Sequence, residues 1–69
     1  MFSYEIRWLA ADNSPLCTKS LSWLGMAAAL AEAAKDLPQD CALVELAYPD
    51  GSVFWSGACH EVLRFADAN

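Results

Sequence analysis

Apolar and polar residues alternate over the first stretch of the chain. Phe2, Tyr4, Ile6 and Trp8 fall on one side of an extended backbone, and Ser3, Glu5 and Arg7 on the other. A period of two in aromatic and branched residues predicts a half-buried strand over 2–10, with Leu9 and Ala10 ending the alternation. Asp12-Asn13-Ser14-Pro15 predicts a turn. Asp, Asn and Ser bond to nearby backbone through their side chains, and proline fixes its own φ.

The period then changes. Trp23, Met26, Ala27, Leu30, Ala34 and Leu37 share one stripe at about 100° per residue, away from Ser22, Gly25, Glu32, Lys35 and Asp36. This predicts an amphipathic helix over 20–37, capped by Ser20 or Ser22 and stopped at Pro38. Its alanines favour the helix and permit close approach to a sheet. Gly25 is unfavourable inside a helix by roughly 1 kcal/mol relative to alanine, which points to a tight contact there.

A second strand is predicted over 41–48, Cys-Ala-Leu-Val-Glu-Leu-Ala-Tyr, followed by Pro49-Asp50-Gly51. In that loop proline presets the first position and glycine accepts the left-handed third. A three-residue hairpin loop pairs Tyr48 with Ser52 and Leu46 with Phe54, and makes 52–57 a third strand. Val44, Leu46, Tyr48 and Phe54 then share one face; Leu43, Glu45, Ala47, Val53 and Trp55 share the other. After Gly57 a short helix over 60–66, with Ala58, Val62 and Phe65 inward, fits better than a fourth strand with Leu63 and Phe65 inward. The expected fold is a single α+β domain over 1–69, of order β-α-β-β. One amphipathic helix packs on a three-stranded antiparallel sheet, with a short C-terminal helix after it. The second sheet face, with Val53, Trp55 and Glu45, is left partly open, as antiparallel sheets allow, or is covered by 58–69.

Composition supports a folded chain with apolar surface to spare. Hydrophobic residues make up 57% of the 69 positions, which excludes a disordered chain and exceeds what one small interior hides. No apolar run approaches the roughly 18 residues of a membrane span; the longest, over 21–34, is interrupted by Ser22 and Glu32. The N-terminal residues lack the basic start and apolar stretch of a secretory signal, so a cytoplasmic location is expected. Three widely spaced cysteines without a C-x-x-C agree with a reducing compartment.

Charge narrows the function. Nine acidic residues against four basic give a net charge of -5, which repels nucleic acid and favours basic partners. Four bases cannot line a nucleic-acid groove, and the predicted cross-strand neighbour of Trp55 is Glu45 rather than a cation. Cys59 and His60 are adjacent, so their side chains diverge on either a strand or a helix and make a poor nucleophile pair. Cys17, Cys41 and Cys59 sit in separate elements, and no phosphate-loop glycine pattern occurs. No catalytic residue, cofactor site or metal site is therefore expected. Asp40 and Asp50 read as turn residues, and Asp36 lies where a helix end prefers a cation. What remains is an acid-rimmed apolar surface: Asp36, Asp40, Glu45 and Asp50 around Trp55 as anchor.

The short length, the acidic excess and the Tyr48-Pro49-Asp50-Gly51 hairpin after a lone alanine-rich helix resemble the small acidic anti-CRISPR proteins encoded by phages. The resemblance covers architecture and carries no signature residues. It implies a non-enzymatic inhibitor in the host cytosol that blocks target DNA recognition by a type I surveillance complex, acting as a DNA mimic on a basic surface. The expected partner is thus a basic nucleic-acid-binding protein or complex, with no direct nucleic-acid or membrane binding and with the chain a monomer or weak homodimer. Two further readings stand beside it. One is a small cytosolic structural or regulatory homodimer joined through the open sheet face. The other is a small enzyme or ligand carrier, which lacks its constellation.

Overall fold

A computed structural model describes residues 2–67, and side chains for residues 2–64. The elements run β1 (Ser3–Leu9), β2 (Pro15–Ser22), α1 (Met26–Lys35), β3 (Leu43–Ala47), β4 (Val53–Ala58) and α2 (Cys59–Asp67). The strands form one antiparallel sheet in the order β2-β1-β3-β4. The class is α+β, with two hairpins joined through the central β1–β3 pair.

Alternation in β1 does what its pattern dictates. Tyr4, Ile6 and Trp8 are buried while Glu5 and Arg7 stay half-exposed. Opposite Ile6 and Trp8 stand Leu46 and Val44 of β3. These side chains form the core with Ala29, Leu30 and Ala33 of α1 and Cys59 and Val62 of α2, so both helices lie on this face. The Trp8 indole N–H, which needs a partner once buried, donates to the Ala33 carbonyl at 3.0 Å. That bond fixes α1 over the centre of the sheet. The expected packing of Leu30 against Val44 and Leu46 holds, with Trp23, Leu37 and Phe54 at the core's margin.

The sheet has four strands where three were expected. The chain folds back after the Asp12-Asn13 turn and pairs Ser3–Trp8 with Ser22–Cys17 as β2. Residues 20–22, expected to open the helix, belong to this strand. Only Lys19 and Leu21 of β2 are even half-buried, because β2 is a sheet edge whose outer side meets solvent. An edge strand has no need of the clean apolar alternation that marks β1.

Consequently α1 is shorter than the predicted 20–37, and neither Ser20 nor Ser22 caps it. Gly25 is its N-cap, at φ 110°, with no side-chain cap bond. A Cβ built on Gly25 meets nothing within 4 Å, so the glycine answers a backbone conformation rather than the tight contact expected of it. The buried stripe is Ala29, Leu30 and Ala33, and Ala27 is exposed. Trp23 precedes the helix.

The β3–β4 register also differs. The Tyr48 N–H donates to the Ser52 carbonyl at 2.8 Å as expected, but Leu46 faces Trp55 and Ala47 faces Val53. Phe54 is the extra residue of a β-bulge, which re-aims the side chains beyond it. Trp55 therefore shares the helix-covered face with Leu46 instead of the open face with Glu45. Gly57 lies beside it: a Cβ there would stand 2.8 Å from Trp55 Cη2, so glycine lets the indole lie on the strand.

A C-terminal helix forms as expected and buries Val62 completely; the inward placement of Phe65 falls outside the described side chains. Among the described residues no helix is long and apolar enough to cross a membrane.

Candidate partner-binding surfaces

The five residues expected to form one surface are dispersed. Asp36 caps the C-terminal end of α1 and is exposed. Lys19 of β2 reaches it, Nζ to Oδ2 2.8 Å, and also approaches Glu32 at 3.7 Å. The Lys19 hydrogen bond, then its charge, holds the Asp36 carboxyl below the usual carboxylate range. A carboxylate unfavourable at a helix C-terminus is thus offset by a lysine from the neighbouring strand. Asp40 is exposed in the segment before β3.

Glu45 lies on the open face, where its cross-strand neighbours are Arg7 and Ser56. Asp50 tips the β3–β4 hairpin, and its Oδ1 accepts the Ser52 N–H at 2.9 Å. That backbone bond is the first cause of its lowered pKa. Trp55 is half-buried against the core on the opposite side of the sheet from Glu45.

With Trp55 on the helix side, the open face loses its aromatic centre. It carries Ser3, Glu5 and Arg7 from β1, Thr18, Ser20 and Ser22 from β2, and Glu45 and Ser56 across the sheet. Arg7 Nη2 lies 3.1 Å from Glu5 Oε1. This is a largely polar surface, with Leu9, Leu43 and Val53 the larger apolar side chains on it.

Apolar exposure concentrates instead where β2 passes into α1. Leu24 is 76% exposed, and Phe2 and Tyr48 are 55% and 45% exposed. A cleft of about 190 Å³ is lined by Phe2, Trp23, Met26, Tyr48 and Phe54. Trp23 organises it. Its ring stacks on Phe2 (centroids 5.9 Å, 17° between planes) and meets Tyr4 and Phe54 edge-on at 5.4 and 5.5 Å. Tyr48 leans on Phe54 at 4.8 Å. The Trp23 N–H donates to the Phe2 carbonyl at 2.9 Å, which holds the two rings in register. A second depression, of about 270 Å³, is lined by Tyr4, Leu21, Leu24 and Ala28 and has Glu32 at its wall.

This cluster is not visible in the sequence pattern, which places Trp23 on a helix stripe. The available signal was Gly25: a glycine two residues after a tryptophan marks a chain reversal at least as readily as a helical contact.

Chemistry-bearing side chains come together at one point. Cys59 is buried and Cys41 half-buried, and the Cys59 N–H donates to the Ala42 carbonyl at 3.3 Å. Burial first, and then the neighbouring Cys41 thiol, push the Cys59 thiol up to about 12. Such a thiol is protonated at neutral pH and is a poor nucleophile. His60 is exposed, and Cys17 is exposed on β2. No group of three or more His, Cys, Asp or Glu arranged to hold a metal ion occurs among the described residues. In comparisons with known proteins, no family model, curated protein or solved structure matches the chain.

Proposed function

We propose that this chain is a non-enzymatic, acidic binding protein of the cytosol that docks on a basic, nucleic-acid-handling protein and competes with its DNA or RNA. The observation that carries the reading is the disposition of charge. Nine acids oppose four bases, and no charged side chain among the described residues is buried. Arg7 and Lys19 are each held by carboxylates of the same chain, so half of the positive charge is already neutralised locally. The remaining field is negative and steers basic surfaces toward the protein. The resemblance to phage-encoded anti-CRISPR proteins, inhibitors of a type I surveillance complex, belongs to this proposal as its most specific form. The polar open face gives no comparable support to a dry homodimer through that face.

The test is capture from the source cell followed by competition. The expected result is a basic protein that duplex DNA displaces, with association slowed by salt. Reversing Asp40 and Asp50 to lysine should slow association; Asp40→Lys alone should leave the thermal transition in place, because Asp50→Lys also removes the acceptor of the Ser52 N–H. Asp36→Lys belongs in the series as a separate variant, because it also breaks the contact with Lys19. Full affinity at low salt in the reversed variants overturns the reading.

A further inference from the structure

We infer that Cys41 and Cys59 are a redox pair, closed to a disulfide by a peroxide and reopened by a thiol reductant, and that the bridge ties the base of the β3–β4 hairpin to α2. The inference stands apart from the acidic surface and from whatever that surface binds. The backbone brings the two residues together. Leu43 faces Ala58 in the β3–β4 ladder, and the Cys59 N–H donates to the Ala42 carbonyl at 3.3 Å. The pairing thus runs one step past the two strands, to Ala42 beside Cys59, with Cys41 next along. Strands lie about 4.8 Å apart and a disulfide spans Cα atoms about 4.4–6.8 Å apart, so a neighbour one step along is within reach.

The side chains agree. Cys41 precedes β3, and its N–H donates to the Pro38 carbonyl at 3.2 Å, so the pleat of the strand does not dictate where it points. Its thiol donates to the Leu43 carbonyl at 3.3 Å, which holds the sulfur at the end of the ladder where Cys59 opens α2. Cys59 belongs to the core cluster, and Cys41 packs against that cluster. After burial, the Cys41 thiol is the neighbour that keeps Cys59 protonated. Cys17 lies apart, exposed on the edge strand β2.

Burial sets the order of events. Cys41 is half-buried and Cys59 buried, so an oxidant arriving from solvent meets Cys41 first. The Cys41 sulfur, once deprotonated, attacks one oxygen of hydrogen peroxide. The O–O bond breaks, the sulfur is oxidised to a sulfenic acid, and the other oxygen leaves reduced, as water. The Cys59 sulfur then attacks the Cys41 sulfur. The S–S bond forms, the S–O bond breaks, and the Cys59 proton departs with the hydroxyl as a second water. Two thiols and one peroxide become one disulfide and two waters. This second step is intramolecular, so Cys59 takes part in it without meeting the oxidant. The closed loop encloses the whole β3–β4 hairpin and restrains the unfolded chain.

The experiment uses the full chain carrying Cys17→Ser, which removes the exposed thiol that would join copies. The folded protein is treated with hydrogen peroxide at neutral pH, digested without reduction and read by mass spectrometry. The product should have lost two hydrogens, should yield a peptide pair joined from Cys41 to Cys59, and should revert with dithiothreitol. Its thermal midpoint should rise by roughly 5 °C or more. Cys59→Ala should leave Cys41 as the sulfenic acid, labelled by dimedone at least roughly fivefold more than in the parent. Should Cys59→Ala lose the cooperative transition, Cys41→Ala takes its place and should abolish the loss of two hydrogens.

Oxygen addition at the cysteines without a link overturns the inference, as does a link that forms only in urea. A bridged protein with an unchanged or lowered midpoint overturns it too, because the native fold must then distort to admit the bond.

Discussion

The β1–β2 and β3–β4 hairpins turn through the same loop, residue for residue in its bonding. In Ala10-Ala11-Asp12-Asn13-Ser14 the Asn13 N–H donates to the Ala10 carbonyl at 2.9 Å, and the Ala10 N–H donates to the Ser14 carbonyl at 2.9 Å. In Tyr48-Pro49-Asp50-Gly51-Ser52 the equivalent bonds measure 2.9 and 2.8 Å. Each loop places an Asp carboxylate under the N–H of the serine two residues on, at 3.0 Å in one and 2.9 Å in the other. Each has its fourth residue in the left-handed region, Asn13 at φ 69° and Gly51 at φ 96°. The hairpins part company in their returning strands. After Gly51 and Ser52 comes Val-Phe-Trp, two of whose rings pack on the core; after Asn13 and Ser14 comes an edge strand whose residues face mostly solvent. Loop chemistry sets the reversal, and burial sets how visible the returning strand is.

The widest separation between the two hairpins should appear in their apolar positions. Leu46→Ala, at a fully buried site of β3, should cost about 2–5 kcal/mol, close to the whole stability of so small a domain. Leu16→Ala on β2 should stay within about 0.5 kcal/mol. Urea midpoints measure both, and equal losses would mean that β2 is covered.

A smaller contrast lies in the left-handed residues. Gly51→Ala should destabilise by on the order of 1 kcal/mol, for conformational reasons, because a Cβ there would meet only Arg7 Nη2 at an ordinary 3.8 Å. Asn13→Gly should stabilise by roughly 0.5 kcal/mol or less, since Asn already tolerates that region. A loss at Asn13→Gly would mean that its side chain holds the loop.

The two loops should respond alike to acid. Hydrogen bonds from Ser14 and Ser52 hold the Asp12 and Asp50 carboxyls below their ordinary value of 3.8. Their support of the fold is therefore complete above that value and is lost as pH falls through the lowered folded values. Protection of the Ser14 and Ser52 amides, taken relative to the intrinsic exchange rate at each pH, should fall together on acidification, and Asp12→Asn with Asp50→Asn should flatten that dependence. Different onset at the two serines would separate the loops.

The smallest effect concerns the thiols of edge and interior. Iodoacetamide should modify Cys17 of β2 before Cys59, read by mass spectrometry. The Cys59 thiol is raised from 9.0 to about 12, so its contribution is intact below pH 9 and fades as pH rises toward 12, where the unfolded chain ionises and the folded one resists. Equal alkylation rates at neutral pH would place Cys59 at the surface.

Several features were legible in the amino-acid order alone, each because its physics is local. The alternation of β1, the α+β class, the Pro49-Asp50-Gly51 turn and a C-terminal helix rest on periodicity and turn chemistry within a few residues. The acidic excess is likewise a property of composition. What escaped depended on partners distant in the chain. β2 exists because β1 offers it a ladder and not because its own pattern demands a strand. The bulge at Phe54 turned Trp55 from the open face to the covered one, and one inserted residue suffices because side chains alternate at every step. Trp23 joined Phe2, Tyr48 and Phe54 only once β1, the entry to α1 and the second hairpin had converged. Amino-acid order set which residues are apolar, where the chain reverses and what sign of charge surrounds it. Which apolar residues meet and which stay exposed was left to the assembled fold, because burial depends on the whole sheet and its two helices and on no single segment.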